Sequence, residues 1–570
     1  MSGHEPTSSR ARSEAGSHGS TSLAVLIFRS DRNCLLLLLL LGVLLFATGL
    51  GARDLWAPDE PDIGEVVREI HLTGSWAVLR DNQELYFEKP PLYPWLAALA
   101  SLPAGKPTEF ALRLPASLSA LLGLFVVFYL GRGLFGRRVG ALAAVVLATT
   151  YGYFMEARWA HPDMLWTFWF LLSCLAFHKA YRAGGDARWM AAFYLAIGLA
   201  NLTKGPHGIL IPLLAIFVFL ASSRDLAFVK RMGLAWGLPL ALVPVGLWVA
   251  AYRSTGEPFP LEALLLRLTH RFTRGEHHAH PFYHVFISLA AEFVPWVIVL
   301  PAALWQTFPR RGARPDRDNA YVYSWILVIF TVFALSVEKR SVYLLPLLPL
   351  LALLVARFWD LALLGWEPSP ADRPIAWLLG TSLTLAAGGA VVVLPKIRTR
   401  APDLFGPAAL LASVACLAIL LALIVYRRHR GGAALAAYSA GLAITYLVVA
   451  VAVLPALDPH KSARVFCHRV LEEVGDRPLA MYPDYRPTYV YYTGRFIPVL
   501  HTREDLREYF ASGKRSFCLI QDDNFEAERR ALGQNLQILD RQEVGHRTML
   551  LVVGGTDAPV ERTGTGEKPS

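Results

Sequence analysis

The sequence predicts a polytopic α-helical membrane protein of about thirteen transmembrane helices with a small extracytoplasmic α/β domain at its C-terminal end. Three observations predict it. Only 18% of the 570 residues are charged and 54% are hydrophobic, where a soluble chain carries roughly a quarter charged. Apolar runs of spanning length recur from residue 34 to residue 454. Basic residues gather in alternate connections between those runs. Composition excludes a disordered chain, a collagen-like repeat and, with five cysteines, a disulfide scaffold.

Residues 1–30 form a polar tail, read as disordered and cytoplasmic. The run Cys34–Leu50 follows Arg29 and Arg32. It lacks a small-residue cleavage pattern and is read as a retained first helix rather than a signal peptide. Further runs lie near 114–131, 138–156, 163–181, 189–202, 207–222, 232–252, 283–305, 321–337, 341–359, 375–394, 404–426 and 433–454. With the N-terminus inside, the connections expected in the cytoplasm carry Arg132, Arg137 and Arg138; Lys179, Arg182 and Arg188; Arg224, Lys230 and Arg231; Arg310, Arg311, Arg314 and Arg317; and Arg427, Arg428 and Arg430. That is the positive-inside pattern, and it accounts for much of the net charge of +10 without a nucleic-acid partner.

Within the 31–456 membrane domain, two outer loops are long. Loop 51–112 contains an amphipathic stretch (Ile63, Val66, Val67, Ile70) expected to lie along the membrane surface. Loop 254–281 contains Arg267, His270, Arg271, Arg274, Glu276, His277, His278 and His280. Residues 457–556 are the α/β domain, with strand-like runs at Leu479–Tyr482, Phe496–Leu500, Ser516–Ile520 and Met549–Val553. Helix-like runs lie at Arg503–Ala511 and Phe525–Leu532. An odd number of crossings places this domain outside, where Cys467 and Cys518 are either a disulfide or two free thiols. Residues 557–570 are a second disordered tail.

Ionisable residues at a membrane boundary are costly and mark function. They collect on the outer side: Asp59 and Glu60 after helix one, Glu88 and Lys89 before two prolines, Arg158, His161 and Asp163, then Lys204, Lys339 and Arg340 ahead of Tyr343. Singly, each has an ordinary reading. The acids fit a helix N-terminus, Arg158 and Asp163 fit a structural pair, and lone Lys or Arg residues snorkel to headgroups. Convergence of carboxylates and cations on one side is what points to a site.

The set Pro58-Asp59-Glu60, Glu88-Lys89-Pro90-Pro91-Leu92-Tyr93, Arg113-Leu114-Pro115, Arg158 with Asp163, Thr203-Lys204-Gly205-Pro206 and Ser336-x-x-Lys339-Arg340-x-x-Tyr343-x-x-Pro346 resembles the membrane glycosyltransferases of the GT-C class. The bacterial aminoarabinose transferases that modify lipid A are the branch it resembles, with protein O-mannosyltransferases as wider relatives. The resemblance implies a GT-C fold in a bacterial-type inner membrane. It implies an enzyme that moves a sugar, with inversion, from a polyprenyl-phosphate donor to an outer-face acceptor: lipid A, another glycan or a protein.

In that reading Asp59 and Asp163 are the catalytic carboxylates. Glu60, Glu88, Lys89, Arg158, Lys204, Arg271, Lys339, Arg340 and Tyr343 bind substrate, the cations meeting charge that develops on the leaving phosphate. If the acceptor is a hydroxyl, Asp59 takes its proton; if it is a phosphate, Asp59 orients it. The branch also implies a divalent metal on the residues matching Glu88 and His278. Two departures leave sugar and acceptor open. Pro61-Asp62 stands where the branch has Arg-Tyr, and a later Lys-x-Lys-x-Pro-x-Tyr pattern is shortened to Lys339-Arg340-Ser341-Val342-Tyr343. The alternative readings are a transporter or flippase of a lipid-linked sugar, which would place charge and broken helices at mid-membrane in repeated halves, and a non-catalytic sensor or assembly factor. The sensor has no need of the carboxylate–cation set.

Overall fold

The structure, a computed structural model, describes residues 30–261, 280–308, 316–364, 372–428, 431–511, 515–532, 536–545 and 547–554. Both expected tails, apart from residue 30, lie outside the described residues, as do Arg271 and His278 of the second long loop.

Helix α1 (Asp31–Ala47) starts on Ser30, whose hydroxyl accepts from the Asn33 amide, a capping contact that satisfies one orphan donor. The first long loop is ordered. It holds α2 (Asp59–Thr73), a small hairpin of β1 (Arg80–Asp81) and β2 (Glu84–Leu85), and α3 (Leu92–Ser101). Ile63, Val66, Val67 and Ile70 are buried, because α2 packs between α3 and a helix of the C-terminal domain. The stripe expected to lie on lipid is therefore covered by protein.

The bundle continues through α4 (Glu109–Phe135), α5 (Arg137–Ala148), α6 (Tyr151–Glu156), α7 (Pro162–Arg182), α8 (Ala187–Lys204), α9 (His207–Ser222) and α10 (Leu234–Ser254). After these come α11 (His284–Glu292), α12 (Leu300–Thr307), α13 (Arg317–Leu335), α14 (Leu347–Leu364), α15 (Asp372–Arg400), α16 (Phe405–Arg427) and α17 (Gly431–Val448). Every apolar run is helical; the run 341–359 opens with a 3-10 turn (Ser341–Leu344) and the run 433–454 closes with a π turn (Val449–Val453), and two others break into separate helices. The run 138–156 breaks at Thr149 and Thr150, whose hydroxyls donate to the carbonyls of Val145 and Val146, while the Tyr151 amide leaves the helix for Val294 O at 2.9 Å. The run 283–305 breaks at Pro295, which has no N–H to continue a helix, and restarts with Pro301 at an N-terminal position.

Among the described residues six helices are long and apolar enough to cross a membrane by length and composition: α4, α10, α13, α15, α16 and α17. Over residues 347–356 helix α14 is apolar all round and buried all round, with Leu347, Leu348, Leu350, Leu351, Leu353 and Leu354 at most 2% exposed; polar residues enter only near its end, where Arg357 pairs with Asp316 and Asp360 with Arg138. It forms the centre with α5 and α12. Helix α16 is more hydrophobic still yet only 11% buried. Its exposed Leu417, Leu420, Leu421 and Ile424 form a face that water would not tolerate and lipid would.

The C-terminal part has α18 (Arg464–Val474), β3 (Leu479–Tyr482), α19 (Pro487–Thr493), α20 (Arg503–Ala511), β4 (Ser516–Gln521), α21 (Asp522–Leu532), β5 (Gln537–Val544) and β6 (Arg547–Gly554). The sheet order is β3-β4-β6-β5, with β3 parallel to β4 and the other pairs antiparallel. Residues 496–500 are not a strand; they touch the sheet through one bridge between Met481 and Val499. Cys467 and Cys518 are both free. Cys467 packs in the cluster containing Phe466 and Val470, whereas Cys518 packs with Leu506 and Phe510 in a separate cluster. The domain is pinned to the first long loop. Asp458 accepts from Trp56 Nε1 at 2.8 Å and from the Asp54 amide, Tyr492 Oη accepts from the Leu55 amide at 2.6 Å, and Asn82 exchanges two hydrogen bonds with Ile497.

Candidate functional site

The site sits where one set of helix ends meets. Antiparallel α7 and α8 bring Asp163, in the first turn of α7, beside Lys204, the last residue of α8. Asp59 is the first residue of α2, and Arg340 lies between α13 and α14.

His161, the residue before α7, links the two carboxylates. Its Nδ1 contacts Asp163, and its Nε2 lies 3.5 Å from Asp59 Oδ1. Lys204 Nζ contacts the other oxygen of Asp163. Arg340 holds Asp59 with Nη2 at 2.6 Å from Oδ2 and Nη1 at 3.4 Å from Oδ1, and Lys89 Nζ stands 3.5 Å from Oδ1. Charges thus alternate along Arg340 and Lys89, Asp59, His161, Asp163 and Lys204. Burial works against ionised Asp59, but the hydrogen bond and charge of His161, with Lys89 and Arg340, hold its carboxyl well below the usual range. Burial likewise disfavours the His161 imidazolium. Asp163 and Asp59 outweigh it, and the pKa is raised above the ordinary histidine value.

Lys204 lies over the rings of Tyr343 at 4.6 Å and Trp166 at 5.1 Å, which holds its ammonium by cation–π attraction. Beside it is a narrow cavity of about 40 Å³ lined by Trp166, His207, Phe333, Ser336 and Tyr343. A smaller one past Tyr343 is lined by Lys339 and Arg340. Lys339 is buried and donates to the Ser336 carbonyl at 2.5 Å. Glu88 is exposed at the rim, one residue before Lys89.

Two expected substrate-binding residues are structural instead. Glu60 is fully buried, and its oxygens accept from Arg53, Arg113 and the amides of Trp56 and Ala160. Burial alone would raise the Glu60 pKa, but the two arginines bring it down to about 2. Arg113 also donates to the carbonyls of Leu50, Arg53 and Asp54, and Arg53 lies 4.4 Å from the rings of both Trp56 and Trp159. Adjacent residues on a helix point about 100° apart. Locking Glu60 inward therefore aims Asp59 elsewhere, at the cations. Arg158 donates to the Leu45 and Phe46 carbonyls at 2.9 and 3.3 Å and caps the end of α1.

Two residues stand out that the motifs gave no role. His161 is the centre of the charge chain; its only sequence signal is a histidine directly before Pro162-Asp163. Asp62 lies one turn along α2 from Asp59, half-buried, with no hydrogen bond or ion pair among the described residues. Burial pushes its carboxyl up to about 7, with Lys89 opposing and Glu88 and Asp59 adding to the rise. For a metal, Glu88 brings one carboxylate, and among the described residues no three His, Cys, Asp or Glu side chains group as metal ligands. The described residues do not make up a metal site.

Comparison with known proteins supports the resemblance drawn from the motifs. Residues 88–249 match the family described as dolichyl-phosphate-mannose-protein mannosyltransferase. The undecaprenyl phosphate-α-4-amino-4-deoxy-L-arabinose arabinosyl transferase 2 of Proteus mirabilis is 26% identical over 335 residues, 58% of this chain and 60% of that one. Arabinosyl transferase 1 of Pseudomonas fluorescens is 29% identical over 325 residues, 56% and 58% of the two chains. The chain thus spans about 60% of the length of the first of these relatives. The crystal structure of ArnT from Cupriavidus metallidurans bound to undecaprenyl phosphate superposes with a TM-score of 0.77 at 22% identity, covering 93% of this chain and all of that one. The archaeal oligosaccharyltransferase AglB of Archaeoglobus fulgidus, solved with an inhibitory peptide and a dolichol-phosphate, gives 0.53 at 13% identity, over 88% and 70%. The fold is that of the GT-C glycosyltransferases.

Proposed function

We propose that this chain is a membrane glycosyltransferase that moves a sugar from a polyprenyl-phosphate donor to an acceptor at the outer face of the membrane, with inversion. The observation that carries it is the chain of alternating charge through Asp59, His161 and Asp163, with Arg340, Lys89 and Lys204 around it. A transferase of this kind needs fixed cations where negative charge grows on the departing phosphate. Lys89, Lys204 and Arg340 supply them, with Lys339 behind. Asp59 and Asp163 hold those cations and His161 in place and orient the acceptor.

Asp59 is a poor proton acceptor in this setting, because three cations already stabilise its charge. When the acceptor is a hydroxyl, Asp62 takes the proton; when it is a phosphate, already nucleophilic, none need be taken. The relatives are named for aminoarabinose transfer from undecaprenyl phosphate, and a pentose on that carrier is the first donor to try, with lipid A, other glycans and proteins as acceptors. A divalent metal, if used, would be held by Glu88 with His278.

In the same reading the chain crosses a bacterial-type inner membrane about thirteen times. The N-terminus is cytoplasmic, 31–456 form the catalytic domain, and 457–556 lie outside. The reaction is tested with purified protein in vesicles supplied with a polyprenyl-phosphate sugar and an envelope-lipid extract. Asp59→Asn is expected to insert normally and bind donor yet lose transfer by about a thousandfold. Normal turnover by that variant would sink the mechanism.

A further inference from the structure

At the far end of α7 from Asp163 lies a second, larger cavity of about 320 Å³, within the range of small-ligand sites. Its wall is drawn from separate elements: His178, Tyr181 and Arg182 from the end of α7, Gly184 from the turn to α8, Asp225 and Arg231 from the α9–α10 connection, and Arg317 and Asp318 from the start of α13. The nineteen-residue distance from Asp163 to Arg182 along one helix is roughly 28 Å at 1.5 Å per residue, the thickness of a hydrocarbon core. The cavity therefore opens at the opposite membrane face from the carboxylate–cation site.

Three features make it a built site. His178 is 4% exposed, lines the cavity, and has neither ring nitrogen hydrogen-bonded, although buried polar groups are almost always paired. Three guanidinium groups from three elements, Arg182, Arg231 and Arg317, line it against two acids, Asp225 and Asp318. Asp225 accepts from Tyr181 Oη at 2.8 Å, and Asp318 is 3.9 Å from Arg182. Finally, Gly184 and Gly185 turn with φ of +70° and +100°, and a Cβ on Gly185 would lie 3.0 Å from the Arg231 Cβ and 3.1 Å from its carbonyl. The glycine pair thus lets Arg231 close over the cavity.

The positive-inside rule explains why such residues lie on this side; it does not explain their convergence on a cavity with an unpaired histidine. We propose that this cavity binds the phosphate of an anionic phospholipid headgroup from the leaflet opposite the carboxylate–cation site. Arg182, Arg231 and Arg317 surround the phosphate, and His178 donates one N–H to it. Arginine suits a phosphate by its planar, multiply donating fork, and basic pockets between helices at the cytoplasmic face are where anionic headgroups are held. The proposal stands apart from the transferase reading.

The test uses the full chain in detergent, incubated with phosphatidylglycerol or phosphatidylcholine of the same acyl chains and read by native mass spectrometry. Retention of phosphatidylglycerol over phosphatidylcholine is expected. The exposed pair Arg231→Gln with Arg317→Gln is expected to weaken retention about thirtyfold, roughly fivefold for each arginine, with unchanged melting temperature. His178→Leu should weaken it as well while relieving an unpaired buried group. Inorganic phosphate and a nucleoside triphosphate are titrated in parallel. Either one binding more tightly than phosphatidylglycerol would assign the cavity to a soluble phosphate and overturn the lipid assignment. Equal retention of the two lipids, or wild-type retention by the double variant, would overturn the site.

Discussion

Arg340 Nη2 donates to Asp59 Oδ2 at 2.6 Å across 281 residues of sequence. That contact joins the segment after α13 to the first turn of α2 and keeps Asp59 ionised and aimed into the site. Arg340→Gln removes a cation from the site but leaves a half-buried surface that folds without it. Transfer is expected to fall about a hundredfold, mainly in kcat, and Arg340→Lys to recover only part of that loss because lysine lacks the two-pronged geometry. Steady-state kinetics in vesicles decide it, and a wild-type kcat for Arg340→Gln would remove the contact from the mechanism.

His161 stands between two carboxylates, and its removal leaves them facing each other. His161→Asn is expected to lower stability by about 3 kcal/mol, the order for breaking a buried ion pair, and to abolish transfer. The pH dependence carries a sign. Because the folded pKa of His161 is raised, its stabilisation is complete below the unfolded value of about 6.5 and fades as pH climbs through the folded value. Melting curves of the wild type should therefore lose stability on the alkaline side in a way that His161→Asn does not. Parallel curves for the two proteins would mean that His161 is neutral when folded.

The fold class was legible in the sequence because its signals are local: charge is scarce over long stretches, and basic residues fall in alternate connections. The site was legible only as a list. Asp59 and Glu60 are neighbours, and nothing local says which one turns inward. Arg113, far along the chain, decides that by taking Glu60. Arg158 reads as a site cation until α1 is seen to end against it. Strand β5 escaped because its burial alternates weakly along an edge of the sheet, whereas β4 and β6 announce themselves as apolar runs.

Asp62 gives a test of which acceptor is used. With its carboxyl pushed up to about 7, it is protonated below that pH and able to take a proton above it. With a hydroxyl acceptor, kcat should rise with pH through about 7 and level off. Asp62→Asn should flatten the profile and lower the plateau by a factor of about 10² to 10⁴. With a phosphate acceptor the same variant should leave both nearly unchanged. A rise through pH 7 that persists in Asp62→Asn would assign the proton to another group.

The placement of residues 457–556 outside the membrane rests on an odd number of crossings, while among the described residues six helices reach spanning length and hydropathy on their own. A single reporter distinguishes the two sides. Asp484 is 66% exposed and pairs with Arg486 at 3.3 Å, so Asp484→Cys should fold normally. The native cysteines give little background: Cys34, Cys174, Cys467 and Cys518 are buried, and Cys416 lies within α16, only partly accessible. An impermeant maleimide added to intact cells is expected to label the variant and leave the wild type nearly blank. Because Asp458, Tyr492 and Asn82 tie this domain to the loop that carries Asp59, labelling from outside would place the carboxylate–cation site outside with it. Labelling only after lysis would move both to the cytoplasm and rule out an outer-face acceptor.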